Sequence, residues 1–296
     1  MTPRQGEALT LALFGDPLEH SLSPRLHQAH ATWAGRPLSY HLLPSSAEGF
    51  SVALERAQAL GVTGANVTAP HKRLAYQACQ HLSPSAEALQ VVNTLTWTAR
   101  GLHGDNTDLA GLELSLTHLL TALQRPAGEL TLRLIGAGGS ARPALWAGLN
   151  LGFRALELVS RSHVSARSLS VWAEEAHPLS SRATLTALGT GDLGPQSSSP
   201  TPSPTPSPTV CVLATPPLAL SELHTLCSPT PQVVSPVAIF DLNYGERARS
   251  SARWAEELGA LYLDGSLMLA EQGRRSFERW TGALPPLERS LVALTS

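Results

Sequence analysis

The chain is expected to be an α/β protein of two domains, and three observations lead there. Its 296 residues suit two folding units better than one. Short apolar runs repeatedly end in Gly, Pro, Asn, Thr or Asp just before a helical pattern, and one such junction is a glycine-rich hexapeptide between a strand and a helix. Hydrophobic residues make up 43% of the chain and the net charge is −2, which fits a sizeable core and offers no basic field for nucleic acid.

The first junction is Phe14-Gly15-Asp16-Pro17-Leu18-Glu19-His20-Ser21-Leu22-Ser23-Pro24, where Pro24 suits a first helical turn and Ser21 and Ser23 stand as caps or as ligands. The second is Gly64-Ala65-Asn66-Val67-Thr68-Ala69-Pro70-His71-Lys72. Val62 and Val67 support a buried strand, Pro70 ends it, and Asn66, Thr68 and Lys72 need polar partners if they are enclosed. Val92-Asn93-Thr94-Leu95 and Gly104-Asp105-Asn106-Thr107-Asp108 follow within forty residues. Strand ends this rich in hydroxyls and amides, with one Lys72/Asp108 pair, describe a polar pocket for a polyhydroxylated acid.

These segments resemble the shikimate dehydrogenase family. Its markers are an H-S-x-S-P loop (His20 to Pro24), an N-V-T-x-P-x-K loop (Asn66 to Lys72), an N-T (Asn93, Thr94) and an N-T-D (Asn106 to Asp108), all present here in order. The resemblance implies reversible reduction of 3-dehydroshikimate to shikimate in the chorismate pathway. Lys72 and Asp108 are then the proton-handling pair, because the carbonyl oxygen must receive a proton as its carbon receives a hydride. Ser21, Ser23 and Tyr244 would hold the substrate carboxylate, while Asn66, Thr68, Asn93 and Gln272 would read its hydroxyls. His20, His71 and His103 flank these motifs but are not assigned the chemistry. A pocket-facing Lys72 sends its neighbour His71 elsewhere.

Leu130 to Ile135 reads as a strand, and Gly136-Ala137-Gly138-Gly139-Ser140-Ala141 follows it as G-x-G-x-x-A. A strand before and a helix after make that hexapeptide a dinucleotide fingerprint, with pyrophosphate expected on its backbone amides and on the helix N-terminus. Pro143 falls in the first helical turn, the helix runs from Ala144 to Gly152, and Ala155 to Val159 completes a β-α-β unit of Rossmann type. Ser160-Arg161-Ser162 then stands where NAD-binding versions usually carry an acidic residue, so a cation and two hydroxyls favour the 2′-phosphate of NADP. The family's N-R-[ST] agrees except for Ser160, and the second basic position is Ser165.

Further strands are expected at Val210 to Ala214, Val237 to Asp241 and Ala260 to Leu263. Ala214 and Thr215 match the family's stretch near the nicotinamide half, with Leu218 where its glycine stands. Asp241-Leu242-Asn243-Tyr244 matches its D-x-x-Y, but Gly245-Glu246-Arg247-Ala248 replaces the usual continuation, so a different loop geometry is expected there. Gly265, Met268, Leu269 and Gln272 match its G-x-x-M-L-x-x-Q, which implies Gly265 and Met268 beside the cofactor. Read from residue types alone, Met268 is core and Gln272 faces solvent.

The expected layout is a substrate-binding domain at 1–108 plus 267–296 and an NADP-binding domain at 109–266, with a cleft between them. Residues 191–209, rich in Pro, Ser and Thr, are expected to be a disordered insertion in the second domain. The three cysteines, Cys79, Cys211 and Cys227, have neither C-x-x-C spacing nor histidines at ligand spacing, so reduced thiols and no metal are expected. Met1 to Thr10 lack an apolar h-region and no apolar run is long enough to span a bilayer, so a cytoplasmic protein is expected; a monomer or homodimer is expected too, although no residue pattern decides between them. Rival readings are a quinate/shikimate dehydrogenase using NAD and a non-catalytic shikimate or nucleotide sensor. Methylene-tetrahydrofolate dehydrogenases share a related fold but lack the H-S-x-S-P and N-T-D pairing.

Overall fold

The structure, a computed structural model, describes residues 7–189, 207–227 and 236–295. The chain divides into two compact units, Met1–Gly111 with Leu267–Ser296, and Leu112–Ser266. Most of the Pro/Ser/Thr tract, 190–206, lies outside the described residues. Its end does not: the Pro208 carbonyl accepts the Thr131 amide at 3.0 Å, and Thr209 opens a strand.

The first unit is built around a six-stranded sheet. Its elements are β1 (Leu9–Gly15), α1 (Ser23–Trp33), β2 (Leu38–Pro44), α2 (Phe50–Ala59), β3 (Gly64–Val67), α3 (Lys72–Ala78), β4 (His81–Leu82), α4 (Pro84–Leu89), β5 (Thr94–Thr98), β6 (Gly101–Asp105) and the start of α5 (Asp108–Leu123). The strand order is β2-β1-β3-β5-β6-β4. β1 pairs parallel with β2 and β3, whereas β5 runs antiparallel to β3 and β6. Alternation along β1 sends Leu9 and Leu11 to one face with Ala31, Phe277 and Trp280, and Ala12 and Phe14 to the other with Phe50, Val67 and Leu95. Both faces are therefore covered, so its apolar residues run almost without interruption.

The second unit contains β7 (Thr131–Ile135), α6 (Ala141–Leu151), β8 (Ala155–Ser160), α7 (His163–Ala176), β9 (Thr184–Gly189), β10 (Thr209–Leu213), α8 (Leu220–Cys227), β11 (Ala238–Asp241), α9 (Arg249–Leu258) and β12 (Leu261–Leu263). All strand pairs are parallel, in the order β12-β11-β10-β7-β8-β9. Read from β9 this is 3-2-1-4-5-6, with the order reversing between β7 and β10, where open α/β sheets place their ligands. β9 has no counterpart among the expected strands. The other strands shift by one residue: Ala260 is not in β12 but closes α9, its amide donating to the Ala255 carbonyl at 2.9 Å. The first unit resumes in α10 (Ser266–Thr281) and ends with α11 (Leu287–Thr295).

Candidate active site

In the first unit, β3 ends at Val67 and, after a short turn, Lys72 opens α3. A cation at a helix N-terminus opposes the helix dipole, so this placement is not a stabilising one in itself. Asp108 offsets it. It opens α5, where an anion is favoured, and accepts a hydrogen bond from Lys72 Nζ on Oδ2 at 2.7 Å, with the two side chains only 8% and 6% exposed.

The second carboxylate oxygen, Oδ1, accepts from Asn93 Nδ2 at 2.8 Å. The same amide also lies 3.0 Å from Thr107 Oγ1 and 3.3 Å from Gln272 Oε1. Its oxygen accepts the Thr107 backbone amide at 2.8 Å and the Thr94 hydroxyl at 3.0 Å. Lys72, Asp108, Asn93 and Gln272, four of the residues expected at the site, thus form one buried constellation. Such an arrangement holds an ammonium in a fixed direction and can donate a proton to, or take one from, an adjacent oxygen.

Around it, Ser21 is half-buried and Ser23 buried at the start of α1, and Ser21 Oγ accepts the Ser23 amide at 3.3 Å. The cap position itself falls to Leu22, without a side-chain hydrogen bond. Thr68 is half-buried just past β3. His71 does turn from Lys72: it is buried, stacks on Phe50 with ring centroids 4.8 Å apart, and Nε2 donates to the Ser45 carbonyl at 2.7 Å.

Two expectations from residue type change. Gln272 does not face solvent; it is 8% exposed and points its Oε1 at Asn93. Asn66, expected to read a ligand, has both ends of its amide engaged by protein. Oδ1 accepts from His27 Nε2 at 2.8 Å and the Tyr40 hydroxyl at 3.2 Å, and Nδ2 donates to Ser276 Oγ at 3.0 Å. Burial holds His27 well below its ordinary value, at about 4, against the opposing effect of its bond to Asn66. His30 is pushed to about 3, by burial first and then by the proximity of His27 and Arg274. Thr94, Thr107, Ser276, His27 and Tyr40 were not among the expected site residues. Ser276 had one signal, its position four residues after Gln272, on the same helix face.

In the second unit the fingerprint loop follows β7. Gly136 has φ +114°, and a Cβ there would lie 2.5 Å from the Ala214 carbonyl oxygen, so only glycine fits. Gly138 is exposed with open space where a side chain would project, which leaves the backbone approachable. Gly139 and Ser140 are half-buried and Ala141 begins α6, where Ser140 provides no side-chain cap to the first helical amides. Past β8, Ser160 is half-buried, Arg161 is exposed, and Ser162 caps α7 by accepting the Ser165 amide at 3.3 Å.

Across the switch point, Ala214 and Thr215 follow β10, and Thr215 Oγ1 is buried without a hydrogen-bond partner among the described residues. Asn243 Nδ2 holds the Thr215 carbonyl at 3.0 Å and is itself held by Asp241 Oδ1 at 2.8 Å. Burial raises the Asp241 carboxyl above its ordinary value, opposed by hydrogen bonds from Ser251 and Asn243. Tyr244 is half-buried and extended, and a 3₁₀ turn, Gly245–Ala248, follows it. Gly265 is steric: a Cβ would collide with the Leu242 carbonyl oxygen. Met268 is buried and belongs to the first unit, as do Lys72 and Gln272.

The open Gly138 loop at the start of α6, the exposed Arg161 and the buried Thr215 hydroxyl, which has no partner among the described residues, fit a phosphorylated dinucleotide. Among the described residues no group of three His, Cys, Asp or Glu side chains is placed to hold a metal ion, and no helix is long and apolar enough to cross a membrane.

Residues 13–95 match the shikimate dehydrogenase substrate binding domain, and residues 265–289 match the shikimate 5′-dehydrogenase C-terminal domain. A shikimate dehydrogenase (NADP(+)) of Xylella fastidiosa (strain 9a5c) is 35% identical over 96% of this chain and 95% of its own. One of Methylibium petroleiphilum is 36% identical over 96% and 92%. Among solved structures, shikimate 5-dehydrogenase from Thermus thermophilus, in complex with NADP(H) and shikimate, superposes with a TM-score of 0.72 at 26% identity, covering 97% of this chain and 98% of that one.

Proposed function

The chain belongs to the shikimate dehydrogenase family, and from that premise we propose that it catalyses the NADP-dependent, reversible reduction of 3-dehydroshikimate to shikimate. The observation that carries this reading is the buried Lys72–Asp108 pair, with Nζ 2.7 Å from Oδ2 and Asn93 on the other oxygen. Bound NADPH would supply a hydride to the ring carbonyl carbon. As charge grows on the carbonyl oxygen, the Lys72 ammonium stabilises it, and the Lys72–Asp108 pair supplies the proton. Because the two groups are coupled, the protonation change belongs to the pair.

Ser21, Ser23 and Tyr244 are assigned the substrate carboxylate, and Thr68, Asn93 and Gln272 its hydroxyls. Asn66 stands behind them, since its amide is already engaged. The unit carrying Lys72 then serves substrate binding and the unit carrying the fingerprint serves NADP. Gly136, Gly138, Gly139, Ser140 and Ala141 would take the pyrophosphate, and Ser160, Arg161 and Ser162 the 2′-phosphate. Ala214, Thr215, Gly265 and Met268 would border the nicotinamide half. A cytoplasmic location belongs to the same reading.

The test follows NADPH absorbance with shikimate and with quinate, each with NADP and with NAD. Fast reduction of NADP by shikimate alone is expected. Turnover chiefly with NAD or quinate would reassign the Ser160–Ser162 region, and no turnover in any combination would leave a binding protein.

A further inference from the structure

Behind Asn93 lies a set of buried groups that no step of the proposed reaction uses. Ser276, on α10, is fully buried. Its hydroxyl lies 2.8 Å from Thr94 Oγ1 and 3.1 Å from Thr107 Oγ1, accepts from Asn66 Nδ2 at 3.0 Å, and is 3.0 Å from the Gln272 carbonyl. One oxygen therefore ties together β3, β5, the residue before α5, and α10.

The direction of these bonds is set from outside the cluster. With Asn66 Oδ1 accepting, His27 Nε2 must carry the proton, and Nδ1 is left buried with no partner among the described residues. The ring is clamped between aromatic neighbours, 5.4 Å from Tyr40 in a stacked arrangement and 5.1 Å from Trp280. Its low basicity keeps it neutral, so this donor role persists across the physiological range. With His27 donating, the amide of Asn66 is not free to flip, and its Nδ2 stays on Ser276.

We propose that Ser276, oriented through Asn66 by His27, is a positioning residue that fixes the Asn93 amide, and through it the Asp108 carboxylate, relative to Lys72. This rests on the proposed dehydrogenase reading. Ser276 touches neither reacting group; Thr94 and Thr107 stand between it and Asn93. Removing the hydroxyl takes the nearer acceptor from Asn66 Nδ2, leaving the Asn93 carbonyl at 3.5 Å, and frees the Thr94 and Thr107 hydroxyls from their shared partner. The Asn93 amide, and with it the bond to Asp108 Oδ1, then loses part of what fixes its direction.

Ser276→Ala should lower kcat with shikimate about ten- to a hundredfold, the scale set by one unsatisfied buried polar group, while KM for NADP stays within about twofold. In an Asn93→Ala background the same substitution should change kcat by less than about threefold, since the group it acts through is gone. A purely structural role would lower the melting temperature in both backgrounds without that non-additivity. If Ser276→Ala does not fold, His27→Phe decides the matter, because it keeps the ring packing and deletes only the donor. It should lower kcat at least about fivefold, and not in the Asn93→Ala background. With an active parent, unchanged kcat in the variant, or equal losses in both backgrounds, overturns the positioning role alone. An inactive parent overturns the dehydrogenase reading and this role with it.

Discussion

Replacing Lys72 by alanine perturbs the site in two separable ways. The first is chemical. The ammonium that stabilises charge on the carbonyl oxygen and shares its proton with Asp108 is lost, and losses of acid/base groups typically lower turnover by about two to four orders of magnitude. Because Lys72 acts on charge that develops after binding, kcat carries the loss and substrate KM changes little. The second is structural. Asp108 is 6% exposed in its side chain and would keep only the Asn93 amide as a partner, and breaking a buried pair on one side costs about 3–5 kcal/mol.

Lys72→Arg separates the two effects. It restores a cation that does not deprotonate, so the urea midpoint should recover toward the parent while kcat stays at least about a hundredfold down. The assay is initial-rate NADPH formation from shikimate over a substrate range, with urea unfolding on the same preparations. Turnover within about threefold of the parent in folded Lys72→Ala would remove Lys72 from the mechanism.

Arg161→Ala should raise KM for NADP about ten- to a hundredfold and leave any activity with NAD untouched, because an exposed cation past β8 has only the 2′-phosphate to distinguish. Equal losses with both cofactors would contradict that assignment. Thr215→Val removes a buried hydroxyl that has no protein partner, so thermal stability of the cofactor-free protein should hold or rise by up to about 1 kcal/mol while NADP affinity falls; a loss of stability with unchanged affinity would make the hydroxyl structural. His27 and His30, at about 4 and about 3 in the fold against an ordinary 6.5, bind protons in the unfolded chain first. Their stabilisation is therefore whole above pH 6.5 and falls as the pH drops toward 4, each group losing about 2 kcal/mol between pH 6.5 and 5. Urea midpoints at those two pH values should differ less in His30→Gln than in the parent, and equal differences would refute the buried neutral histidine as the cause.

What was legible in the sequence and what was not divides by how far the information travels along the chain. Gly136, Pro70 and Pro143 declare local backbone geometry, so the fingerprint turn, the end of β3 and the start of α6 could be read in place. The polar strand ends around Lys72, Asn93 and Asp108 were also visible, because such residues rarely close an apolar run without a partner. The Lys72/Asp108 pairing was read there as well, and the geometry adds Asn93 on the second carboxylate oxygen.

The residues that escaped are those whose meaning depends on a partner far away in sequence. Gln272 on a helix of otherwise mixed character looks solvated from residue type alone and was placed at the site only by the family resemblance; Asn93, 179 positions earlier, faces it. Ser276 is a small residue of the kind helices tolerate anywhere, and only the approach of Asn66 and Thr94 from the sheet turns it into a junction. Asn66 shows the converse case. A buried amide in a ligand loop invites assignment as a reader, yet its hydrogen-bonding capacity is taken up by His27, Tyr40, Ser276 and, at 3.5 Å, the Asn93 carbonyl, leaving its motif position to be explained by what it supports. A motif residue can therefore be required by a reaction without touching the substrate, and the hydrogen-bond inventory of each amide separates the two cases.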